Sequence, residues 1–386
     1  MTRAARLAVL AALYFSQGLP FGFFTLALPV VLREQDVDLK TIGASSLLLL
    51  PWGLKFVWGP LVDRVGTRKG WIVPLQLETV AVLLGLATID PARSLQALVV
   101  GMLLASVLAS TQDVATDGLA VALLRPEDRG LGNGLQVGAY RLGMIVGGSA
   151  VLVLYGRFGP PTAFATMAVL LALATVPILL AREPDRPADA VTVTVRSVLA
   201  AVRQPGIGPW LLLLCVYKAG EAATGPMLKT LLVDAGWELE DLAWTSGLLG
   251  SAAGLCGALF GGWATGRLGR RTALVTFGAV QSVGILLCVV PAVAGVGAGL
   301  CYVLEHLLSG MATAALFTAM MDRCRPGLEA TDYTLQASIV VLATGLAGGA
   351  SGLLADAVGY GWHFALCALA ALLGAAFAGR VQVLRA

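Results

Sequence analysis

Twelve stretches of predominantly apolar sequence run almost end to end through this 386-residue chain. Each approaches the roughly 20 residues that a helix needs to cross a bilayer. They lie near 7–32, 41–62, 71–89, 94–122, 131–156, 161–181, 206–233, 241–265, 272–292, 296–320, 331–355 and 361–380. In lipid every backbone N–H and C=O must be satisfied within the protein, so such stretches fold as helices. An all-α membrane protein with twelve transmembrane helices is therefore expected. Only 13% of the residues are charged, against about 25% in soluble domains.

The first stretch, MTRAARLAVLAALYF, has the charged start and apolar body of a signal peptide. Its apolar character continues to Leu32 and it has a counterpart in the second half, so it reads as a retained first helix. The six cysteines show no paired spacing, and five fall in apolar segments where cysteine acts as a small hydrophobe. Neither disulfides nor a metal site nor a cofactor is expected.

Loop charge orients the helices. Eighteen basic residues, including Arg3, Arg6, Arg125, Arg182 and Arg323, fall on one side, whereas Arg33, Lys40, Arg93 and Arg157 fall on the other. Both termini and the central loop are thus expected in the cytoplasm. With the basic residues spread over loops, the net charge of +3 carries no nucleic-acid signature.

The chain repeats itself. GPLVDRVGTR, Gly59 to Arg68, aligns with GGWATGRLGRR at an offset of 203, which places Gly59 on Gly262, Arg64 on Arg267, Gly66 on Gly269 and Arg68 on Arg271. The same offset sets Tyr14 on Tyr217, and near the fifth and eleventh helices an offset of 200 sets Gln136 on Gln336. Two parallel six-helix halves follow, 1–181 and 206–386, joined by a polar loop at 182–205 whose later part reads as a short amphipathic helix. Such halves are the organisation of the major facilitator fold.

GPLVDRVGTRKG resembles the cytoplasmic signature of that superfamily, and the resemblance implies a gate built from Gly59, Asp63, Arg64, Gly66 and Arg68, with Gly262, Arg267, Gly269 and Arg271 as the second copy. Glycine permits close helix approach, and a carboxylate can accept from an arginine or from a helix N-terminus. YFSQGLPFGFF, LPWGLKFVWGPLVDR, TQDVATDGLAV and RGLGNGLQVGAYRLGMIVGG resemble the group containing AmpG muropeptide permeases and acetyl-CoA transporters, most nearly its RhtX/FptX-type siderophore importers. Asp117 is followed by Gly-Leu-Ala where AmpG proteins usually have Ala-Tyr-Arg, and the extra C-terminal helices common in AmpG proteins are absent from this sequence.

Nine ionisable residues other than histidine fall inside the spans: Glu78, Asp113, Asp117, Glu221, Glu305, Lys55, Arg141, Lys218 and Lys229. Intramembrane charges mark functional paths and need partners. Counted from the loops at about 1.5 Å per residue, Asp113 and Arg141 lie roughly 18 Å deep, and Asp117 and Lys55 roughly 12 Å. The expected pairs are Asp113–Arg141 and Asp117–Lys55, with Glu78 competing for Lys55. These pairs are either static struts or proton carriers.

On helix 7, Tyr217, Lys218 and Glu221 sit near mid-membrane, and Gly220, Gly225 and Pro226 can unwind it; Tyr14 and Gln17 lie at matching depth on helix 1. The fold resemblance implies that helices 1, 4, 7 and 10 line a cavity. Tyr14, Gln17, Tyr217 and Lys218 are therefore substrate-binding candidates; the intramembrane cations Lys55 and Arg141 and the polar Gln136 and Tyr140 of helix 5 are candidates beside them. Asp113, Asp117, Glu221, Glu305 and His306 are the proton-coupling candidates, while His363 reads as interfacial.

The expected function is a bacterial inner-membrane secondary transporter working as a monomer, importing a bulky polar solute such as a siderophore with protons. A muropeptide permease, an exporter and a non-transporting receptor are the alternatives. No catalytic motif points to an enzyme. The expected partners are protons, a small-molecule substrate and the lipid bilayer, with no nucleic acid.

Overall fold

A computed structural model of the chain describes residues 1–34, 48, 50–89, 94–184, 200, 203 and 206–381. Most of the central loop, with its expected amphipathic helix, lies outside these residues, as do Lys40, Arg93, Arg186, Arg196 and Arg385.

Twelve helices span the described residues. Helix α1 is Arg3–Gly22, continued through a wide turn at Phe23–Ala27 into Leu28–Glu34. Thr2 caps it, accepting from the Ala5 N–H. Helix α2 comes in pieces, Leu50–Leu54, a tight turn at Lys55–Val57 and Gly59–Arg64. Pro60 explains that break, since it lacks an N–H and disfavours a helical residue before it. Helices α3 (Arg68–Ala87) and α4 (Leu95–Leu123) follow.

Helix α5 begins at Arg129–Ile145 and runs through a wide turn at Val146–Ala150. It bends into α6 (160–180) at Gly159, whose φ of 80° only glycine adopts readily. Helix α7 is again split, Ile207–Val216 and Ala219–Asp234. Helix α8 joins Leu239–Leu242, Ala243–Leu249 and Gly250–Leu268, and α9 is Arg270–Leu287 with Val289–Ala294. Helix α10 is Ala298–Asp322. Helices α11 (329–358) and α12 (360–378) meet at Gly359, where φ is 77°.

Large apolar side chains such as Leu173, Leu346, Leu353 and Leu373 stand exposed on these helices, as a lipid-facing surface requires. The helices gather into two compact units. The first contains Met1–Leu124, Ala139–Val193 and Arg325–Thr334; the second contains Arg125–Gly138, Thr194–Cys324 and Leu335–Ala386. Each unit thus includes one short segment from the other half of the sequence. The first unit's core holds Phe23, Trp52, Met102, Phe164 and Met167, and the second unit's holds Leu228, Leu232, Tyr302 and Phe364.

Within the first unit, α1 and α5 pack backbone to backbone. A methyl on Gly18 would overlap the Tyr140 carbonyl, and one on Gly143 or Gly147 would overlap the carbonyls of Phe15 or Leu19. Small residues permit such close approach. The glycine-rich run of α11 differs, because a methyl on Gly345 or Gly349 would meet nothing within 4 Å.

Candidate functional site

Two aspartates share one lysine inside the first unit. Asp113 and Asp117 lie on one face of α4, four residues apart. The tight turn in α2 brings Lys55 onto that face, where its ammonium pairs with Asp113 and lies 3.3 Å from Asp117 Oδ2. All three are buried, at 4% exposure for Lys55, 8% for Asp113 and 3% for Asp117.

Helix α1 completes the cluster. The Tyr14 hydroxyl donates to Asp117 Oδ1 at 3.0 Å. The network orients the Gln17 amide to donate to Asp113 Oδ1 at 3.2 Å and to accept from Thr116 Oγ1. One turn on, Phe21 lies 5.4 Å from Trp52 and 5.6 Å from the half-buried Tyr140. Trp52 is held edge-on among Phe21 and Phe24 and is 6% exposed, so its face is not offered to a solute.

This geometry revises the expected pairs. Lys55 takes both aspartates, and Arg141, half-buried on α5, forms no ion pair with Asp113. Glu78 stands exposed on α3 and does not compete for Lys55. Equal depth placed these groups at one level, but the direction in which each side chain leaves its helix decided the partners.

The second unit has its own polar centre. Lys218 pairs with Glu221, and its Nζ lies 2.7 Å from Thr313 Oγ1 and 3.4 Å from Ser309 Oγ. Glu221 also accepts from Gln281 Nε2 at 3.0 Å. At the offset of 200, Thr313 stands where the first half has Asp113, and Phe317 where it has Asp117. Each unit therefore gathers its polar centre around a lysine from a different helix, Lys55 of α2 with carboxylates and Lys218 of α7 with hydroxyls and Glu221. Tyr217 does not copy Tyr14, for its hydroxyl donates to the Leu274 carbonyl at 2.8 Å.

Glu305 is buried on α10 with its Oε2 2.8 Å from His306 Nδ1, and the His306 ring stacks on Tyr302. His363, expected at the interface, is fully buried, its Nε2 3.1 Å from the Ala223 carbonyl of α7. Gln136 is buried on α5.

At the basic-loop end of the first unit, Asp63 is completely buried. It accepts from the Thr331 N–H and hydroxyl, both at 2.7 Å, and from the Ala330 N–H at 3.3 Å. These are the unsatisfied first-turn donors of α11, at the positive end of its dipole. Burial lifts the Asp63 carboxyl above its ordinary range, against the pull of Thr331 and Arg68. Arg68 lies 3.3 Å from Asp63 and 2.5 Å from Glu329, and a methyl on Gly59 would come into van der Waals contact with Thr334 at 3.6 Å. Gly66 forms the left-handed turn after α2 (φ 69°), while Arg64 is exposed and outside the contact.

In the second unit the corresponding contact is built differently. Asp322 of α10 holds Arg129 of α5 at 2.7 Å and Arg270 of α9 at 2.5 Å. Gly130 and Gly262 face each other so closely that a methyl on either would overlap the other's carbonyl. Gly269 turns the chain with φ 80°. Arg267 instead lies over the Trp263 ring at 4.5 Å, and Arg271 donates to the Gly379 carbonyl. The sequence reading missed Asp322, Glu329 and Thr331. The charged stretch DRCRPGLEAT, Asp322 to Thr331, which contains all three, was their available signal.

The family model described as the Major Facilitator Superfamily matches residues 10–348. This chain belongs to the Major Facilitator Superfamily. It is an AmpG-like member and a multi-pass membrane transporter. The anhydromuropeptide permease of Escherichia coli (strain K12) is 28% identical over 383 residues, covering 96% of this chain and 78% of that protein. A putative transporter AmpG 4 of Rickettsia felis is 25% identical, covering 92% of this chain and 91% of its own length. Among solved structures, the Escherichia coli fucose:proton symporter superposes with a TM-score of 0.74 at 16% identity, covering 96% of this chain and 98% of that one. At that identity the likeness concerns the fold.

Proposed function

We propose that this transporter is a proton-coupled secondary carrier of the bacterial inner membrane, taking up a bulky sugar–peptide solute of the anhydromuropeptide kind by alternating access. The observation that carries the coupling is the charge count of the Lys55 cluster. Two buried carboxylates share one ammonium, so the cluster is one positive charge short of neutrality. An uncompensated carboxylate at the bilayer centre costs about 3 kcal/mol, and a proton on Asp117 or Asp113 removes that cost. The Tyr14 hydroxyl and Gln17 amide adjust to either state, since a hydroxyl can donate or accept. Movement of α1 or α2 against α4 would change how well the ionised pair is held, and so whether the proton stays.

The solute class rests on the relatives. Proteins named as an anhydromuropeptide permease and a putative AmpG transporter match over 96% and 92% of this chain. This favours a muropeptide over the siderophore suggested by the sequence motifs. Within the first unit Tyr140, Arg141 and Gln17 supply ring-stacking and hydrogen-bonding groups suited to such a solute. The Asp63–Thr331 and Asp322–Arg129 contacts act as cytoplasmic latches that hold while the site is open to the other side.

The test is uptake by the purified chain in proteoliposomes under an inward proton gradient. Wild type should concentrate an anhydromuropeptide, and Asp113→Asn with Asp117→Asn should abolish accumulation while leaving downhill exchange. Full accumulation by the double variant would remove the coupling assignment.

A further inference from the structure

Lys229 is an intramembrane cation outside both polar centres. Lys55 and Lys218 are both ion-paired. Among the described residues, Lys229 makes no ion pair and no hydrogen bond, although it stands exposed on the second segment of α7. The acid one turn further along, Asp234, is occupied by the Tyr360 hydroxyl at 2.7 Å. A cation within a spanning helix is costly to keep without a partner, and such residues mark substrate paths.

Its register decides where it lies. Lys229 is eleven residues beyond Lys218, about three turns and roughly 16 Å along the axis. The two lysines therefore leave α7 on nearly the same face, with Gly225 between them. The space beside that face is open at Gly225, where a methyl would meet nothing within 4 Å. Helix α11 runs alongside, where a methyl built on Gly348 would lie 3.3 Å from the Ala222 carbonyl and one on Gly352 would lie 4.0 Å from Met227. In the first unit the repeat of Gly225 is Gly22, where a methyl would overlap the Met144 carbonyl. The position that is shut at Gly22 in the first unit is open at Gly225 in the second, on the helix face that carries Lys229.

We propose that Lys229 is a specificity-determining residue that takes a carboxylate of the transported solute, about three turns from the Lys218–Glu221 centre. The open space at Gly225 gives room to the arm that carries the carboxylate. Lys218 is not the recognising cation, because Glu221 already neutralises it. This deepens the transport reading and rests on it.

The purified chain in proteoliposomes distinguishes the possibilities with two probes, an anhydromuropeptide with free peptide carboxylates and its fully amidated analogue. Lys229→Gln should raise KM for the free acid about tenfold, with kcat unchanged and the amide's KM unaffected; Lys229→Arg should retain the wild-type values. An unchanged KM ratio, or an equal rise for both probes as a lipid-headgroup or folding role would give, overturns the proposal. Acylation of Lys229 by an amine-selective reagent, followed by mass spectrometry, gives a readout independent of transport. Protection by the free acid but not by the amide supports the proposal, and equal labelling with both overturns it. If wild type carries neither probe yet the free acid protects Lys229, the muropeptide reading fails and the carboxylate site stands.

Discussion

Lys55 Nζ and Asp117 Oδ2 lie 3.3 Å apart inside the first unit, and the same ammonium pairs with Asp113. Removing that ammonium should leave two buried carboxylates facing each other. Breaking a buried pair by deleting one partner costs about 3–5 kcal/mol. Lys55→Met is expected to lower the unfolding temperature in detergent markedly, and adding Asp117→Asn should recover part of the loss. A Lys55→Met protein as stable as wild type would show that the ammonium is not what holds α2 to α4.

Tyr14 tests the same cluster from α1. Its hydroxyl donates to Asp117 at 3.0 Å, and hydrogen bonds to charged groups contribute about 1.5–3 kcal/mol. Tyr14→Phe should lose that amount and unfold earlier than wild type. The difference should vanish in an Asp117→Asn background if the bond to Asp117 is the cause; the double-mutant cycle measures this.

The first latch should tighten in acid. Burial raises the Asp63 carboxyl above its ordinary range when α11 covers it, whereas a released, solvated Asp63 returns to about 3.9. The engaged state thus binds its proton at higher pH, and linkage favours that state as pH falls through the raised value. Alkalinisation through the same window weakens it. Hydrogen exchange at the Ala330 and Thr331 amides, corrected for intrinsic rate, should be slower at low pH. Asp63→Asn should flatten the dependence, and an unchanged pH response in that variant would place its origin elsewhere.

The second latch depends on the absence of side chains. Gly262→Ala puts a methyl into the Gly130 carbonyl, and overpacking of this kind costs about 1–3 kcal/mol. Reagent access to a cysteine introduced at Gly266 should rise in the Gly262→Ala background. Equal labelling with and without the methyl would mean that the seam absorbs it.

The twelve spans and the Gly59–Arg68 repeat were readable because helix length and glycine–charge spacing are one-dimensional signals. The Lys55 cluster was half readable. Depth along the axis put Lys55 level with Asp117, but depth carries no azimuth, so Asp113 was matched to Arg141 and Glu78 was brought inward. The tight turn at Lys55–Val57 swings the lysine across to both aspartates, and that turn follows from Trp58-Gly59-Pro60 only once the helix is built. The partner of Asp63 was hidden for another reason. It is a set of backbone N–H groups at the start of α11, which carry no residue signature of their own. His363 looked interfacial from its place near a span end, yet the Ala223 carbonyl draws it inside.

The left-handed residues Gly159 and Gly359 join α5 to α6 and α11 to α12 with no intervening loop. A joint of that kind has no slack. Any displacement of α5 or α11 at one end of the membrane has to be passed to α6 or α12 at the other, so each pair travels as a stiff hairpin. The helices that bear the latches are thereby linked to the outer rim of the protein by leverage, without any side chain to relay the signal.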